Sequence, residues 1–354
     1  MLTRRKFISL ASLSLLLGAG LIPALSGCTD AVADPARPVP AGDDDTAGSS
    51  SAKLENPAKL EAFLFDTLVT IEAYCDESVL DQAEKRLVYF ENIFSKTVAG
   101  SDVDLINNAA GASVDVHPET ADVIAKALSY SEESEGLFDI TIGGVVDLWD
   151  FKAGVVPEQT ELDRALAHVD YRTVELDGMT VRLLDPAAKV DLGGIAKGYI
   201  ADDIADLLRT AGCKSALINL GGNTYALGHR PDGSPWNIGL QDPNEARGTA
   251  FAATPVFDKS VVASGINERS FTLDGKTYHH LLDPKTGMPA DNGLASVTVV
   301  SDSSLDGDAC TTTAFLLGLE SGMAFIEQHD GIEALFIETD GTATASSKME
   351  TESL

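Results

Sequence analysis

The sequence predicts an α+β fold in one large domain, with a mixed, mainly antiparallel sheet and flanking helices. Three observations lead there. Helix-like and strand-like stretches interleave, but without the strand–helix–strand rhythm of a doubly wound parallel sheet. Between Tyr225 and Tyr278 there are many short strand signals and few helical ones. No Pro/Gly/Ser-rich linker interrupts residues 59–345, although 354 residues would suffice for two ordinary domains. No internal repeat is visible.

The elements follow in order. From Leu60 to Cys75 apolar residues partly alternate, as in a half-buried strand. Val79, Ala83, Leu87, Phe90 and Phe94 recur every three or four residues and mark a helix with one buried stripe. His117-Pro118-Glu119-Thr120 begins a second helix, with proline in its first turn, and Gly136 ends it. Glu161 to Val169 is a third. Tyr171 to Leu184 reads as a hairpin turning at Asp177-Gly178. Lys189-Val190-Asp191-Leu192-Gly193-Gly194 leads into a helix through Arg209, closed near Gly212. Ser215 to Leu220 is a strand ending at Gly221-Gly222, and Ser296 to Val300 is another. Asp306 to Leu317 and Glu320 to Gln328 are helices, and Ile332 to Ile337 is the last strand.

The first 27 residues read as an address rather than as part of the fold. Thr3-Arg4-Arg5-Lys6-Phe7 precedes an apolar run from Ile8 to Leu25, which ends in Leu25-Ser26-Gly27-Cys28. A charged start, an apolar middle and small residues before a cut describe an export signal. The paired arginines resemble a twin-arginine signal. The ending resembles a bacterial lipobox, which makes Cys28 the lipidated first residue of the mature chain. An uncleaved membrane anchor and a cleaved soluble protein are the alternatives. Residues 28–58 hold the lipidated cysteine and a Pro-, Ala-, Asp-, Gly- and Ser-rich tether with little to bury. The chain is thus expected outside the cytoplasm, anchored to the membrane.

Composition narrows the function. Lys plus Arg number 25 against 55 Asp plus Glu, a net charge of -30. Such a chain repels nucleic-acid phosphates, so no nucleic-acid partner is expected. A phosphate-bearing small ligand is still possible, given a bridging cation or a nest of backbone N–H groups. There is no CxxC pair and no HExxH, so a zinc site has no support. Cys75, Cys213 and Cys310 sit in apolar surroundings and read as small core fillers rather than ligands or disulfide partners.

Three segments can carry chemistry. In Asp191-Leu192-Gly193-Gly194-Ile195-Ala196-Lys197-Gly198-Tyr199, three glycines around a helix start let backbone approach an anionic ligand, and Lys197 adds a charge. A plain tight turn before a helix reads equally well. Asp308 and Thr312, four apart on a helix, offer hard oxygen ligands suited to Mg²⁺ or Ca²⁺. A helix cap with a buried threonine is the other reading. His279-His280-Leu281-Leu282-Asp283-Pro284-Lys285-Thr286-Gly287 ends a strand in a turn, where a histidine near an aspartate can act as a base. His280 and Asp283 are both candidates, and a purely structural turn is again the alternative.

Taken in series, these segments resemble the ApbE family, the FAD:protein FMN transferases. Further similar segments are Phe94-Ser95 with Asp102 to Asn107, Gly136-Leu137-Phe138-Asp139-Ile140-Thr141-Ile142-Gly143 running on to Asp147-Leu148-Trp149, Asn219-Leu220-Gly221-Gly222-Asn223, and Trp236-Asn237-Ile238-Gly239. The resemblance spans residues 60–340 in family order. It implies an ApbE/T-fold-like domain over residues 59–350. It also implies an enzyme that breaks the FAD pyrophosphate and moves FMN onto a threonine or serine hydroxyl of an acceptor flavoprotein, with AMP leaving. The cofactor it implies is Mg²⁺, with FAD as co-substrate. By position, Asp191 contacts the flavin nucleotide and Lys197 touches FAD. Phe138 and Asp139 line the nucleotide site. The Gly194 carbonyl, Asp308 and Thr312 ligate the metal. His280 is tied to catalysis and Leu281 lies against the nucleotide. Phe138 and Tyr74 are rings that can pack on flavin or adenine, with core packing the other role for Tyr74. The cation would offset the charge of a pyrophosphate entering so acidic a chain.

Two positions depart from the family pattern. Ile266-Asn267 follow Ser264-Gly265 where relatives have an acidic residue and an aromatic, and Phe65-Asp66-Thr67 stands for Met-Gly-Thr. Cys310 replaces a usual leucine. Two other functions share these residues: an FAD pyrophosphatase releasing FMN and AMP, and a tethered flavin-binding lipoprotein without chemistry.

Overall fold

The first stretch of alternation is a hairpin rather than one strand: β1 (Ala58–Leu64) turns into β2 (Thr67–Ala73). Phe65 and Asp66 make the turn with φ of 55° and 57°. That conformation favours glycine, so no glycine signalled the turn. The Phe65 N–H is held by Glu91 Oε1 at 3.1 Å. The computed structural model describes residues 56–245 and 248–353. The leader, Cys28 and most of the tether lie outside the described residues.

After β2 come α1 (Glu77–Phe94), α2 (Asp102–Asn108), β3 (Val114–Asp115), α3 (Pro118–Glu133), the short α4 (Gly143–Val146) and α5 (Gln159–Leu166). The hairpin β4 (Val174–Asp177) and β5 (Thr180–Leu183) follows, then α6 (Ala196–Thr210), β6 (Ala216–Leu220) and β7 (Asn223–Leu227). Next are β8 (Trp236–Gln241), β9 (Ala250–Val256), β10 (Lys259–Gly265), β11 (Ser270–Leu273) and β12 (Lys276–His279). The chain closes with β13 (Leu294–Ser301), α7 (Ser304–Glu327), β14 (Ile332–Glu338), β15 (Ala343–Ala345) and β16 (Glu352–Ser353). So β14 is not the last strand, and α2, capped by the Ser101 side chain on the Asp104 N–H, is an element the periodicity did not reveal.

Eight strands form one sheet in the order β1-β2-β6-β7-β10-β13-β14-β15, and every pairing in it is antiparallel. The α+β expectation holds. Strand alternation divides the core. Ile71, Ile218, Val297, Val299 and Phe336 pack against α1, α6 and α7 on one face. Leu217, Ala226, Val261, Val300 and Leu335 pack on the other against Trp236 and Leu240 of β8 and Ala252 and Val256 of β9. Tyr74 belongs to this second cluster, which fits its core-packing role rather than a flavin contact. A buried ion cluster ties the helices: Arg86 of α1 meets Glu119 of α3 at 2.8 Å and Asp203 of α6 at 2.9 Å.

α7 is two helices, as the sequence indicates. Gly318 (φ 78°, ψ 177°) breaks it. A Cβ on Gly322 would lie 2.4 Å from the Ala314 carbonyl oxygen, a contact that a straight helix never makes eight residues apart. The second half therefore folds back on the first, returning the chain to pair Ile332 with Ser301.

α6 and α7 touch through Gly198. A Cβ there would meet the Ser304 carbonyl oxygen at 2.3 Å and Leu305 Cα at 2.6 Å. Asp202, one turn on, accepts from the Ser304 and Leu305 N–H groups at 2.8 and 3.0 Å and so caps α7. Gly198→Ala should lower unfolding free energy by about 1–3 kcal/mol through overpacking. Gly144→Ala, where nothing lies within 4 Å of the added carbon, should be neutral or slightly stabilising. Urea unfolding of the two variants checks this; equal effects would contradict the close contact.

Candidate active site

The glycine segment is shaped by what flanks it. Lys189 pairs with Ile142 in a parallel bridge, and the Asp191 N–H donates to the Ile140 carbonyl at 2.8 Å. Gly143 must be glycine here, since its Cβ would lie 2.6 Å from the Lys189 carbonyl oxygen. The segment then turns: Asp191 Oδ1 accepts from the Gly193 N–H at 2.7 Å. Asp191 Oδ2 pairs with Lys96 at 2.8 Å. Lys96 also reaches Asp147 at 2.9 Å, and Asp147 meets Lys189 at 3.1 Å. Burial works against the Lys96 charge, but Asp191 and Asp147 outweigh it and hold its pKa above the ordinary value.

Two helix starts converge beyond this turn. α6 begins at Ala196, so the Gly198 N–H is one of the first-turn donors that no helix carbonyl receives. It goes to Asp308 Oδ2 at 3.0 Å, and the Gly194 carbonyl, which precedes the helix, stays outside its ladder. Lys197 Nζ lies 3.0 Å from the Gly193 carbonyl oxygen and 3.5 Å from Asp308 Oδ2. A Cβ on Gly194 would lie 3.2 Å from the Phe138 ring and 3.7 Å from Thr312 Oγ1. A free carbonyl, a buried carboxylate and a hydroxyl thus line one small space, walled by Phe138.

The third segment buries His280. His280 donates its backbone N–H to the Arg269 carbonyl at 3.1 Å. Its ring Nδ1 is buried without a partner. Burial, reinforced by the Arg269 and Lys197 cations, pushes its pKa down to about 3. The imidazole is neutral and keeps a lone pair. Lys197, paired with Asp308, is thus also near enough for its charge to oppose protonation of His280.

The other named residues are held by their own surroundings. Leu281 is buried in the main core behind His280. Asp283 Oδ1 accepts from the Lys285 N–H at 2.8 Å, and the Asp283 carbonyl accepts from Gly287 at 2.8 Å. Its carboxylate holds its own turn together. Asp139 is likewise engaged, accepting from Thr141 N–H and Oγ1 at 2.8 and 2.6 Å and from the Tyr171 N–H at 2.9 Å. Burial holds its carboxyl above the usual range in spite of those bonds. Asp139 sets the shape of the turn that carries Phe138.

Mg²⁺ fits this donor set. The Gly194 carbonyl, Asp308 and Thr312 are hard oxygens, and the Lys197 ammonium already lies against Asp308 as a monovalent counter-charge. Among the described residues no group of three His, Cys, Asp or Glu could hold a metal. A softer thiolate or imidazole site therefore has no counterpart there. Sequence reasoning missed Lys96 and its pairing with Asp147, and gave Arg269, upstream of the histidine segment, no role. The one available signal was a lysine just past the end of an amphipathic helix.

The architecture is shared with solved proteins. The ApbE protein of Thermotoga maritima superposes with a TM-score of 0.75 at 30% identity, over 82% of this chain and 96% of that one. The Pseudomonas stutzeri flavinyl transferase ApbE in its apo form gives 0.72 at 28%, over 82% and 94%. The model of the ApbE family matches residues 65–336, and this chain belongs to that family. Among curated relatives, a Klebsiella pneumoniae FAD:protein FMN transferase is 38% identical over 286 residues, 78% of this chain and 87% of that protein. One from Treponema pallidum is 36% identical over 287 residues, 76% and 79%.

The His280 environment makes a direct prediction. Its folded pKa lies below the unfolded value of about 6.5, so the unfolded chain binds the extra proton first. Its contribution to stability is complete above about pH 6.5 and is lost as pH falls towards 3. NMR of the ring should show the neutral form from pH 8 down to 5. A titration midpoint near 6.5 would contradict the burial.

Proposed function

We propose that this chain is a Mg²⁺-dependent FAD:protein FMN transferase that matures flavoproteins of electron transport outside the cytoplasm. The observation that carries this reading is the meeting of Gly194, Asp308 and Thr312 with Lys197 and neutral His280 in one space. The names of the Klebsiella and Treponema relatives support the same activity. In the reaction, a threonine or serine oxygen of the acceptor forms a bond to the FMN phosphorus. The bridging P–O bond breaks, AMP leaves with the bridging oxygen, and the hydroxyl proton is taken up.

The residues divide the work. The Gly194 carbonyl, Asp308 and Thr312 hold Mg²⁺, which offsets pyrophosphate charge and makes the phosphorus more electrophilic. Lys197, released from Asp308, turns its ammonium to the phosphate oxygens and adds a fixed positive charge. Phe138 walls the nucleotide side. Asp191, held by Lys96, faces the flavin half. His280 accepts the hydroxyl proton, being neutral and unpartnered. Asp283, with its carboxylate committed to the Lys285 N–H, keeps the His280 loop in place. Arg269 and Lys197 lie where an anion would enter, and an anion between them would raise the affinity of His280 for that proton.

Purified protein, FAD, Mg²⁺ and an acceptor domain should yield an acceptor band with in-gel flavin fluorescence. Asp308→Ala should cut that signal by roughly 10²-fold or more. Intact FAD bound to the protein beside a dark acceptor would refute the transfer. Rapid release of free FMN without acceptor would mark a pyrophosphatase instead.

The membrane location rests on the leader and on Leu25-Ser26-Gly27-Cys28. With Cys28 lipidated, the catalytic domain hangs from the outer side of the cell membrane by its tether. Cys28→Ser should move the protein from the membrane fraction to the soluble extracytoplasmic fraction with transferase activity retained. Retention in the membrane would point to an uncleaved anchor.

A further inference from the structure

The transferase reading uses none of the cysteines in the folded domain, yet two of them meet. The β2–β6 ladder pairs Ala73 with Ala216, and the Tyr74 N–H carries it one step further to the Ser215 carbonyl at 2.9 Å. The next residue on that side is Cys75. On the other strand, Cys213 lies two residues before Ser215, and its thiol turns back to the same Ser215 carbonyl at 3.4 Å. One carbonyl oxygen thus receives both the Tyr74 N–H and the Cys213 S–H. That brings the Cys213 sulfur to the side of the ladder on which Cys75 follows Tyr74, close enough for the two thiols to interact.

Both are free thiols in this structure. Cys213 is buried, whereas Cys75 is partly open to solvent. The interaction between the two thiols favours the Cys213 thiolate, holding its pKa below the ordinary value while that of Cys75 rises. This is the division of labour of an oxidisable pair: one sulfur that an oxidant can reach, and one ready nucleophile behind it. Cys310, in contrast, is fully buried in the main core, where its thiol donates to the Tyr130 hydroxyl at 3.6 Å.

We propose that Cys75 and Cys213 close into a disulfide that joins the start of α1 to the end of α6. The oxidant is an external disulfide, small or protein-borne. The Cys75 sulfur exchanges with it, forming a mixed disulfide and releasing one thiol. The Cys213 thiolate then attacks the Cys75 sulfur and expels the second thiol. The external disulfide gains two electrons and two protons, which the two cysteines lose. An oxidising compartment outside the cytoplasm would keep the bond formed. That part rests on the export reading, whereas the pairing of the thiols does not.

The bond would close the loop from residue 75 to residue 213. This loop contains α1, α3 and α6, and hence both Lys96 and Lys197. The pair itself sits at the end of α6 remote from Lys197, so the bond braces the domain without entering the active site.

The test uses the full chain, first reduced and then exposed to glutathione disulfide, alkylated and mapped by mass spectrometry. Mapping separates the pair from Cys28 and Cys310. A linked Cys75–Cys213 peptide should appear while Cys310 remains a thiol. The Tm should rise by roughly 5 °C or more over the reduced protein. Cys75→Ser and Cys213→Ser should each abolish the rise. Two reduced thiols after treatment, or a glutathione adduct that persists on Cys75, would overturn the proposal. None of these readouts involves flavin transfer, so they stand or fall independently of it.

Discussion

The site depends on how closely the first turn of α6 lies on the first turn of α7. Gly198 allows that approach, since any side chain there would strike the Ser304 carbonyl. Asp202 locks it by accepting the N–H groups of Ser304 and Leu305. Only then can Asp308 cap the first turn of α6 by accepting the Gly198 N–H. Thr312, one turn along α7, follows into the same space. A glycine required by packing thus brings the open start of α6 against Asp308 and Thr312 of α7.

Electrostatics explains how so acidic a protein keeps a place for an anion. The chain has a net charge of -30, yet the carboxylates around the glycine turn are committed. Asp191 and Asp147 hold Lys96 and Lys189, and Asp139 and Asp283 hold backbone N–H groups. The cations that remain are Lys197, against Asp308, and Arg269, both near enough to help keep the His280 imidazole neutral. Local pairing, rather than net charge, decides what a cleft will accept.

Much of this was legible in the sequence where one physical signal dominated. The apolar stripe of α1, the proline at the start of α3 and the interruption of α7 all predicted their elements. The separation of Asp308 from Thr312 placed two oxygens on one helix face. The hairpin at Phe65-Asp66 escaped because its turn residues take left-handed φ without a glycine. The seven-residue α2 is too short to show periodicity. Lys96 and the Cys75–Cys213 pair were hidden for another reason. Their partners lie far along the chain, and only the sheet register and helix packing bring them together. Likewise, the sequence does not show that Asp139 and Asp283 accept backbone N–H groups of their own turns.

The central claim is that the α6–α7 contact builds a divalent-cation position beside the dinucleotide. Crystals grown with FAD and Mn²⁺ in place of Mg²⁺ would test it most directly, through the anomalous signal of the manganese. The account predicts a peak bounded by the Gly194 carbonyl, Asp308 and Thr312, with the pyrophosphate against it. A bound dinucleotide with manganese elsewhere, or with Lys197 still seated on Asp308 and no peak, would contradict it.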